Sequence, residues 1–370
     1  MKKGYRTDVR KREIKGRGKN DLKMRWLRPF GGALAFLTLP VYGVSWLLFK
    51  IAIVRDNRSG FLETPLVKFV INRAGGAMKA LKNEQVAESV ETGLGFADFK
   101  TEIEAGKQWF LNQKKERIVV TSYDGLKLTA YYLPAEQESN KVMILMHGYR
   151  NEGGFGDFSG LVEFYHDMGY HLLVPHQRSH GESEGDYICY GVKERYDVKQ
   201  WAEYIAGRFE GNCSIFLSGI SMGGATVLMA AGLELPSQVK GIIADCAFIS
   251  PWETFSHVIK RDYRLPRFPF LYVADYIAGN RAGFRFKECS TIACMKKNHI
   301  PVLFIHGSED TFVPTEMSYR NYEACAAPKE LLIVEKAAHG TSNLVEPDTY
   351  REAVISFMEK YTGNGDGNGN

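Results

Sequence analysis

The chain has 370 residues, 45% of them hydrophobic and 24% charged. That is ordinary globular usage, which excludes wholesale disorder and leaves room for one large domain with appendages. The net charge of +4 hides an uneven distribution: residues 1–28 hold twelve Lys or Arg against three acids, whereas the rest carries 35 basic and 40 acidic side chains, the wrong balance for a nucleic-acid-binding body.

A basic tail over 1–28 is followed by PFGGALAFLTLPVYGVSWLLF at 29–49, which has no charged residue, and by IAIV after Lys50. About 20 apolar residues span a bilayer as a helix, and Gly and Pro are tolerated there, so the pattern predicts a single transmembrane anchor over 29–54. A cleaved signal peptide would need a shorter charged region and a small-x-small cleavage site; a buried core helix would not explain the basic block. The excess of Lys and Arg before the span predicts a cytoplasmic N-terminus and an extracytoplasmic body. No candidate site residue lies in 1–54, so a truncated body is expected to keep its activity.

Residues 55–116 read as a mostly helical, membrane-proximal segment with breaks at Gly75–Gly76 and Gly93–Gly95. From 117 to 362 the pattern changes. RIVVTS and LKLTAYYLP flank Tyr123-Asp124-Gly125, a hairpin signal. The apolar runs at 142–146, 171–175, 214–218, 241–245, 301–306 and 331–335 then alternate with helical stretches such as 192–208 and 315–326. Continuous apolar strands separated by helices predict an α/β domain with a mostly parallel sheet covered on both faces. The gap between the fourth and fifth runs is too long for a crossover, and 248–286 holds ten aromatics, so a helical cap is predicted over about 248–298. The Gly-rich tail 363–370 is expected to be disordered.

Two G-x-S-x-G matches compete for the nucleophile: Gly181–Gly185 and Gly219–Gly223. A nucleophile elbow needs a strand running into the serine, a helix leaving it, and small neighbours at the crowded turn. Only the second has them, with SIFLS before and MGGATVLMAAGL after. Ser221 is therefore the expected nucleophile and Ser183 a loop residue. A serine hydroxyl needs a base, itself oriented by a third group. Asp310 follows the run ending at His306, and His339 follows the run ending at Glu335, both beyond strand ends on the edge where Ser221 emerges. Asp245 stays open as an alternative acid; Glu309 is a weaker one, and His147 and His306, each followed by Gly, read as structural. The expected oxyanion donors are the backbone N–H groups of Met222 and Tyr149. Trp252 and Phe270 of the cap are the expected substrate contacts, or else pack cap onto core. Six scattered cysteines make no disulfide framework or zinc pattern; Cys289 and Cys294 are either a pair or separate thiols.

LMHGYR at 145–150, QRSHGESEG at 177–185, LSGISMGG at 217–224, HGSEDTFVP at 306–314 and AAHG at 337–340 resemble, in order, the motifs of the α/β-hydrolase superfamily, especially its bacterial membrane-anchored or secreted esterase-like members. The resemblance implies acyl transfer to water through an acyl-serine, without metal or cofactor. One departure is visible: relatives often carry Asp-x-Arg-Gly-His-Gly where this chain has His176 to Gly181. The leading expectation is an esterase acting on a hydrophobic acyl or aryl ester. A peptidase or thioesterase on the same fold, or a non-catalytic binding protein, are the alternatives.

Overall fold

The structure is a computed structural model, and it describes residues 39–55, 96–151 and 154–362. A first helix, α1 (39–52), is separated by undescribed chain from α2 (Lys100–Asn112). The body then runs β1 (Glu116–Thr121), β2 (Lys127–Leu133), β3 (Lys141–Met146), α3 (Val162–Asp167), β4 (His171–Pro175), α4 (Glu194–Arg208), β5 (Ser214–Ile220), α5 (Met222–Ala230) and β6 (Val239–Asp245). The remaining elements are α6 (Pro251–Arg261), α7 (Phe270–Arg281), α8 (Thr291–Met295), β7 (Val302–Gly307), α9 (Glu316–Ala324), β8 (Lys329–Val334), α10 (Ser342–Val345) and α11 (Pro347–Thr362).

All eight strands join one sheet in the order β1-β2-β4-β3-β5-β6-β7-β8. β2 pairs antiparallel with β1 and β4, and the other pairings are parallel. Parallel neighbours need crossovers, and those helices cover both faces, which is why β3, β5, β6 and β7 are almost wholly buried. One face packs on α4 and α5 through Val198, Trp201, Ile205, Val227 and Leu228. The other packs on α2, α3 and α11 through Phe110, Tyr165, Tyr350, Val354 and Phe357. The hairpin turn is where the sequence places it: Gly125 has φ +91°, a conformation that costs glycine no Cβ clash.

The predicted cap corresponds to α6 and α7, inserted between β6 and β7, while α8 already packs back against α5 and α9. Ser250 caps α6 by accepting from the Glu253 N–H at 3.2 Å, and Pro251 occupies its first turn.

The predicted anchor lies only partly within the described residues. Among the described residues no helix is long and apolar enough to cross a membrane, and residues 29–38 lie outside them. The described part, α1, is folded onto the body. Leu47, Phe49 and Ile53 are buried, the last two in one cluster with Tyr190, Phe248, Trp252 and Leu271. Ser45 Oγ donates to the Phe270 carbonyl at 2.9 Å, and Val54 bridges to Tyr187. The apolar residues of 45–54 therefore complete a protein core, the competing use of an apolar stretch. Of the helical reading of 55–116, only α2 and the short turn Phe96–Phe99 are described. The tail 363–370 lies outside the described residues.

Candidate functional site

Ser221 stands between the last residue of β5 and the first of α5, with φ +56° and ψ −113°. A side chain held at positive φ stores strain that the surrounding packing must override. Two glycines make the turn possible. A Cβ on Gly219 would lie 2.3 Å from the Gly223 carbonyl oxygen, and one on Gly223 would lie 1.7 Å from that of Met146. Strand and helix approach so closely that only hydrogen fits.

The structure brings Ser221, His339 and Asp310 into one hydrogen-bonded line. His339 Nε2 lies 2.8 Å from Ser221 Oγ, and its Nδ1 lies 2.6 Å from Asp310 Oδ2. Asp310 sits just past β7 and His339 past β8, so both reach the serine from the carboxyl edge of the sheet. Asp310 is itself clamped: its Oδ1 accepts from Phe312 N at 2.9 Å and Val313 N at 2.8 Å. Its Oδ2 is also 3.0 Å from His306 Nε2. Burial pushes this carboxyl up, but the adjacent His339 and the hydrogen bonds from His306 and His339 outweigh burial and hold it well below the usual carboxylate range.

His306 was read from sequence as a structural histidine. It is more than that, because it grips the acid. Its Nδ1 meets Ser318 Oγ at 2.6 Å, and its Nε2 faces both Asp310 and the Val313 carbonyl. Nε2 therefore carries the proton and Nδ1 accepts one from Ser318. Nothing in the local sequence separates His306-Gly from the equally plausible His147-Gly.

Asp245 is not brought to His339. Its carboxyl lies beside Tyr165 and Tyr350 without a hydrogen bond to His339, and its backbone carbonyl accepts from Ser221 N at 2.9 Å. Burial pushes the Asp245 carboxyl up to about 6. The ordinary value in an unfolded chain is about 3.9, so the folded state holds this proton more tightly. The stability contributed by Asp245 should therefore fall as pH rises from about 4 through about 6, by at most about 3 kcal/mol. Asp245→Asn, neutral at every pH, should melt several degrees higher than wild type at pH 8 and no higher at pH 4, with serine reactivity kept. A gap between the two proteins that is the same at pH 4 and pH 8 would contradict the assignment.

The loop after β3 is fixed from several sides. His147 is fully buried and its pKa is pushed well down by that burial. It takes a proton from Gln177 N at Nε2 (3.0 Å) and gives one from Nδ1 to the Gly148 carbonyl (2.7 Å). His180, pushed down to about 4 mainly by burial, accepts from Arg150 N at 3.1 Å. Gly148 N donates to Asp157 Oδ2 at 2.5 Å. The N–H groups on either side of Tyr149 are thus engaged, and that of Tyr149 makes no hydrogen bond among the described residues. Met222 opens α5, so its N–H is one of the orphan donors of a helix start. The departure in the 176–181 motif is accommodated locally. Ser179 takes φ +64° and ties its Oγ to the Tyr187 carbonyl, while buried Arg178 pairs with Asp197 and Asp124.

Ser183 is buried with its hydroxyl spent on the His176 carbonyl and Thr129 N. Neither Trp252 nor Phe270 is brought to Ser221. Trp252 packs edge-on to Tyr272 under Lys287 Nζ, and Phe270 starts α7 beside Ser45. The aromatic beside the histidine is Phe312, 5.0 Å between ring centroids. Cys246, Asp310 and His339 each bring a possible ligand atom within 4.8 Å of the others. Both His339 ring nitrogens are already engaged by Ser221 and Asp310.

Unsighted by the sequence reading was the collar under α1. Tyr149 Oη donates to the Ile51 and Ala52 carbonyls at 3.2 and 3.0 Å. Arg150 Nη2 donates to those of Ile51 and Val54 at 2.8 and 2.9 Å, and Tyr190 Oη to that of Ala52 at 3.1 Å. These are the orphan carbonyls at a helix C-terminus, where a cation is also favoured by the helix dipole.

Sheet order, elbow and strand-end histidine define the class: a hydrolase built on the α/β-hydrolase fold. The serine aminopeptidase, S33, family model matches residues 137–275. YqkD of Bacillus subtilis, an uncharacterized protein, is 30% identical over 253 residues, 68% of this chain and 81% of its own length. A lysophosphatidylserine lipase of Danio rerio, ABHD12, is 28% identical over 208 residues, 54% of this chain and 51% of that one. An esterase of Pyrococcus furiosus superposes with a TM-score of 0.57 at 23% identity, covering 68% of this chain and 93% of that one, a likeness of fold. The chain belongs to the α/β-hydrolase superfamily.

Proposed function

We propose that this protein is a serine hydrolase that cleaves carboxylic esters through an acyl-serine intermediate, with Ser221 as nucleophile, His339 as general base and acid, and Asp310 as the group that orients it. The observation that carries this reading is the continuous Ser221–His339–Asp310 hydrogen-bonded line at the carboxyl edge of the sheet. As Ser221 Oγ attacks the ester carbonyl, His339 Nε2 takes its proton, and the anionic Asp310 steadies the imidazolium. The charge that develops on the carbonyl oxygen is received by the N–H groups of Met222 and Tyr149. His339 returns the proton to the departing alcohol. A water then attacks the acyl-serine by the same path, releasing the carboxylic acid and regenerating Ser221.

The substrate class favoured is a single-chain acyl ester of an amphiphile. Phe312 beside His339 gives the site an apolar wall. The relative from Danio rerio is named for lysophospholipid hydrolysis. An ester, thioester and aminoacyl-amide panel tests this. Esters should be the best substrates, with efficiency rising by up to ~0.8 kcal/mol per added methylene until the site fills. Phe312→Ala should flatten that climb and spare acetyl esters. Preference for an aminoacyl amide would move the activity to the peptidase class.

Membrane attachment through the apolar run that begins at residue 29, ahead of the part of α1 packed on the body, with 1–28 cytoplasmic and the body outside, is also proposed from the basic tail and the apolar run. Protease added to intact cells should then reach the body and not the tail.

A further inference from the structure

Cys289 and Cys294 sit where the chain leaves the cap for the core. Ser290 caps α8, its Oγ accepting from Ala293 N at 3.2 Å. Cys289 is thus the residue before the cap, and Cys294 the fourth inside the helix. A helix start folds those two positions onto each other, ordinarily to seat two apolar side chains. Here the pair is two thiols, with Sγ atoms 3.6 Å apart and both only partly buried. The other four cysteines are free and fully buried. From α4, Arg195 adds a positive charge beside the pair, and its buried Nε and Nη1 have no hydrogen-bond partner among the described residues.

We propose that Cys289 and Cys294 form a reactive dithiol that small disulfides of the glutathione type convert into an intramolecular disulfide, Cys289 attacking and Cys294 resolving. The assignment of roles follows from the surroundings. The two sulfurs share one S–H···S hydrogen bond, which together with the Arg195 charge lowers the Cys289 thiol against the upward push of burial. Cys294 is pushed up by that hydrogen bond and by burial. The Cys289 thiolate attacks one sulfur of the glutathione disulfide, forming a mixed disulfide and expelling a glutathione thiolate, which takes up a proton. The Cys294 thiol then loses its proton and attacks the Cys289 sulfur, expelling the second glutathione. Two protein thiols are oxidised by two electrons, and one glutathione disulfide is reduced to two thiols.

The bond would act on the cap. Upstream of Cys289, the Phe286 carbonyl holds Trp252 N at 3.1 Å; downstream, Thr291 N bonds the Ile249 carbonyl at 2.9 Å. A Cys289–Cys294 disulfide fastens the return strand of the cap to the helix that grips the core. It is also the state that an oxidising compartment would impose on the pair.

The test treats the full-length protein with oxidised glutathione, alkylates the remaining thiols, and maps all six cysteines by peptide mass spectrometry. The expected product links Cys289 to Cys294 within one chain, with the other four thiols alkylated after unfolding. In Cys294→Ser a glutathione adduct should build up on Cys289, at least about tenfold faster than on Cys294 in Cys289→Ser, because the thiolate is the nucleophile. Adding Arg195→Met to Cys294→Ser should slow the Cys289 adduct about threefold at neutral pH, the thiolate lost being partly offset by its higher nucleophilicity. Should that double variant not fold, the asymmetry between the two single variants still decides. Equal rates at the two cysteines, a bond only between chains, or six thiols that all stay reduced would each overturn the proposal. The readout counts thiols and not turnover, so it is independent of the ester-hydrolase reading.

Discussion

Ser221→Ala should abolish labelling by a fluorophosphonate probe and lower ester turnover on the order of a million-fold, whereas Ser183→Ala should leave both in place. The two serines share the same five-residue pattern, so the experiment separates context from motif. Ser221 stands free at a strained turn with His339 Nε2 at 2.8 Å, while the Ser183 hydroxyl is already committed to backbone partners. Asp310→Asn should lower turnover by about four orders of magnitude, because an amide cannot hold His339 in the working tautomer or stabilise its cation. His306→Gln should fall between wild type and Asp310→Asn, since the two backbone N–H groups still hold one oxygen of the acid. Loss of labelling in a folded Ser183→Ala protein, or near-normal turnover in Asp310→Asn, would remove the proposed mechanism.

Much of this site was legible because its physics is local and directional. A parallel sheet with buried faces writes itself as apolar runs, and β3 to β8 each fall on one of the six, while the antiparallel β1 and β2 fall on the hairpin signal. The elbow is legible because a turn in which a Cβ would meet a carbonyl oxygen at 1.7 Å demands glycine at fixed offsets from Ser221. Strand ends then pointed to Asp310 and His339. What stayed hidden depends on contacts between distant segments. His306 and His147 look alike in sequence, and only the fold sets one against the acid and the other under the loop of Tyr149. The apolar run 39–54 suits a bilayer and a protein core equally well by composition, and hydropathy cannot tell which surface covers it. The packing of Trp252 against Tyr272 and of Phe270 beside Ser45 stayed hidden for a related reason: aromatic content announces a cap, not the direction in which each ring points.

Deleting residues 1–54 should lower kcat on a soluble short ester by roughly a hundredfold to a thousandfold, reversing the expectation from sequence that a truncated body keeps its activity. No triad residue is removed, but the support of one oxyanion donor is. Tyr149 Oη and Arg150 Nη2 lose the carbonyls of Ile51, Ala52 and Val54 that hold them, and Tyr190 loses Ala52. The departure of Phe49 and Ile53 also opens the apolar cluster beneath the cap. A donor that has drifted from the developing oxyanion costs rate more than binding, so KM should change far less than kcat. Arg150→Ala in the full-length chain isolates the collar from the packing. It should lower kcat about tenfold, and Arg150→Lys, which keeps the charge but not the fork that also reaches Tyr149 Oη at 2.6 Å, should recover only part of it. Melting temperature measured alongside separates a displaced loop from a loosened body: Arg150→Ala should melt within a few degrees of wild type, while the deletion melts clearly lower. A truncated protein with wild-type kcat would show that the loop after β3 keeps its geometry without α1, and that the helix only covers the core.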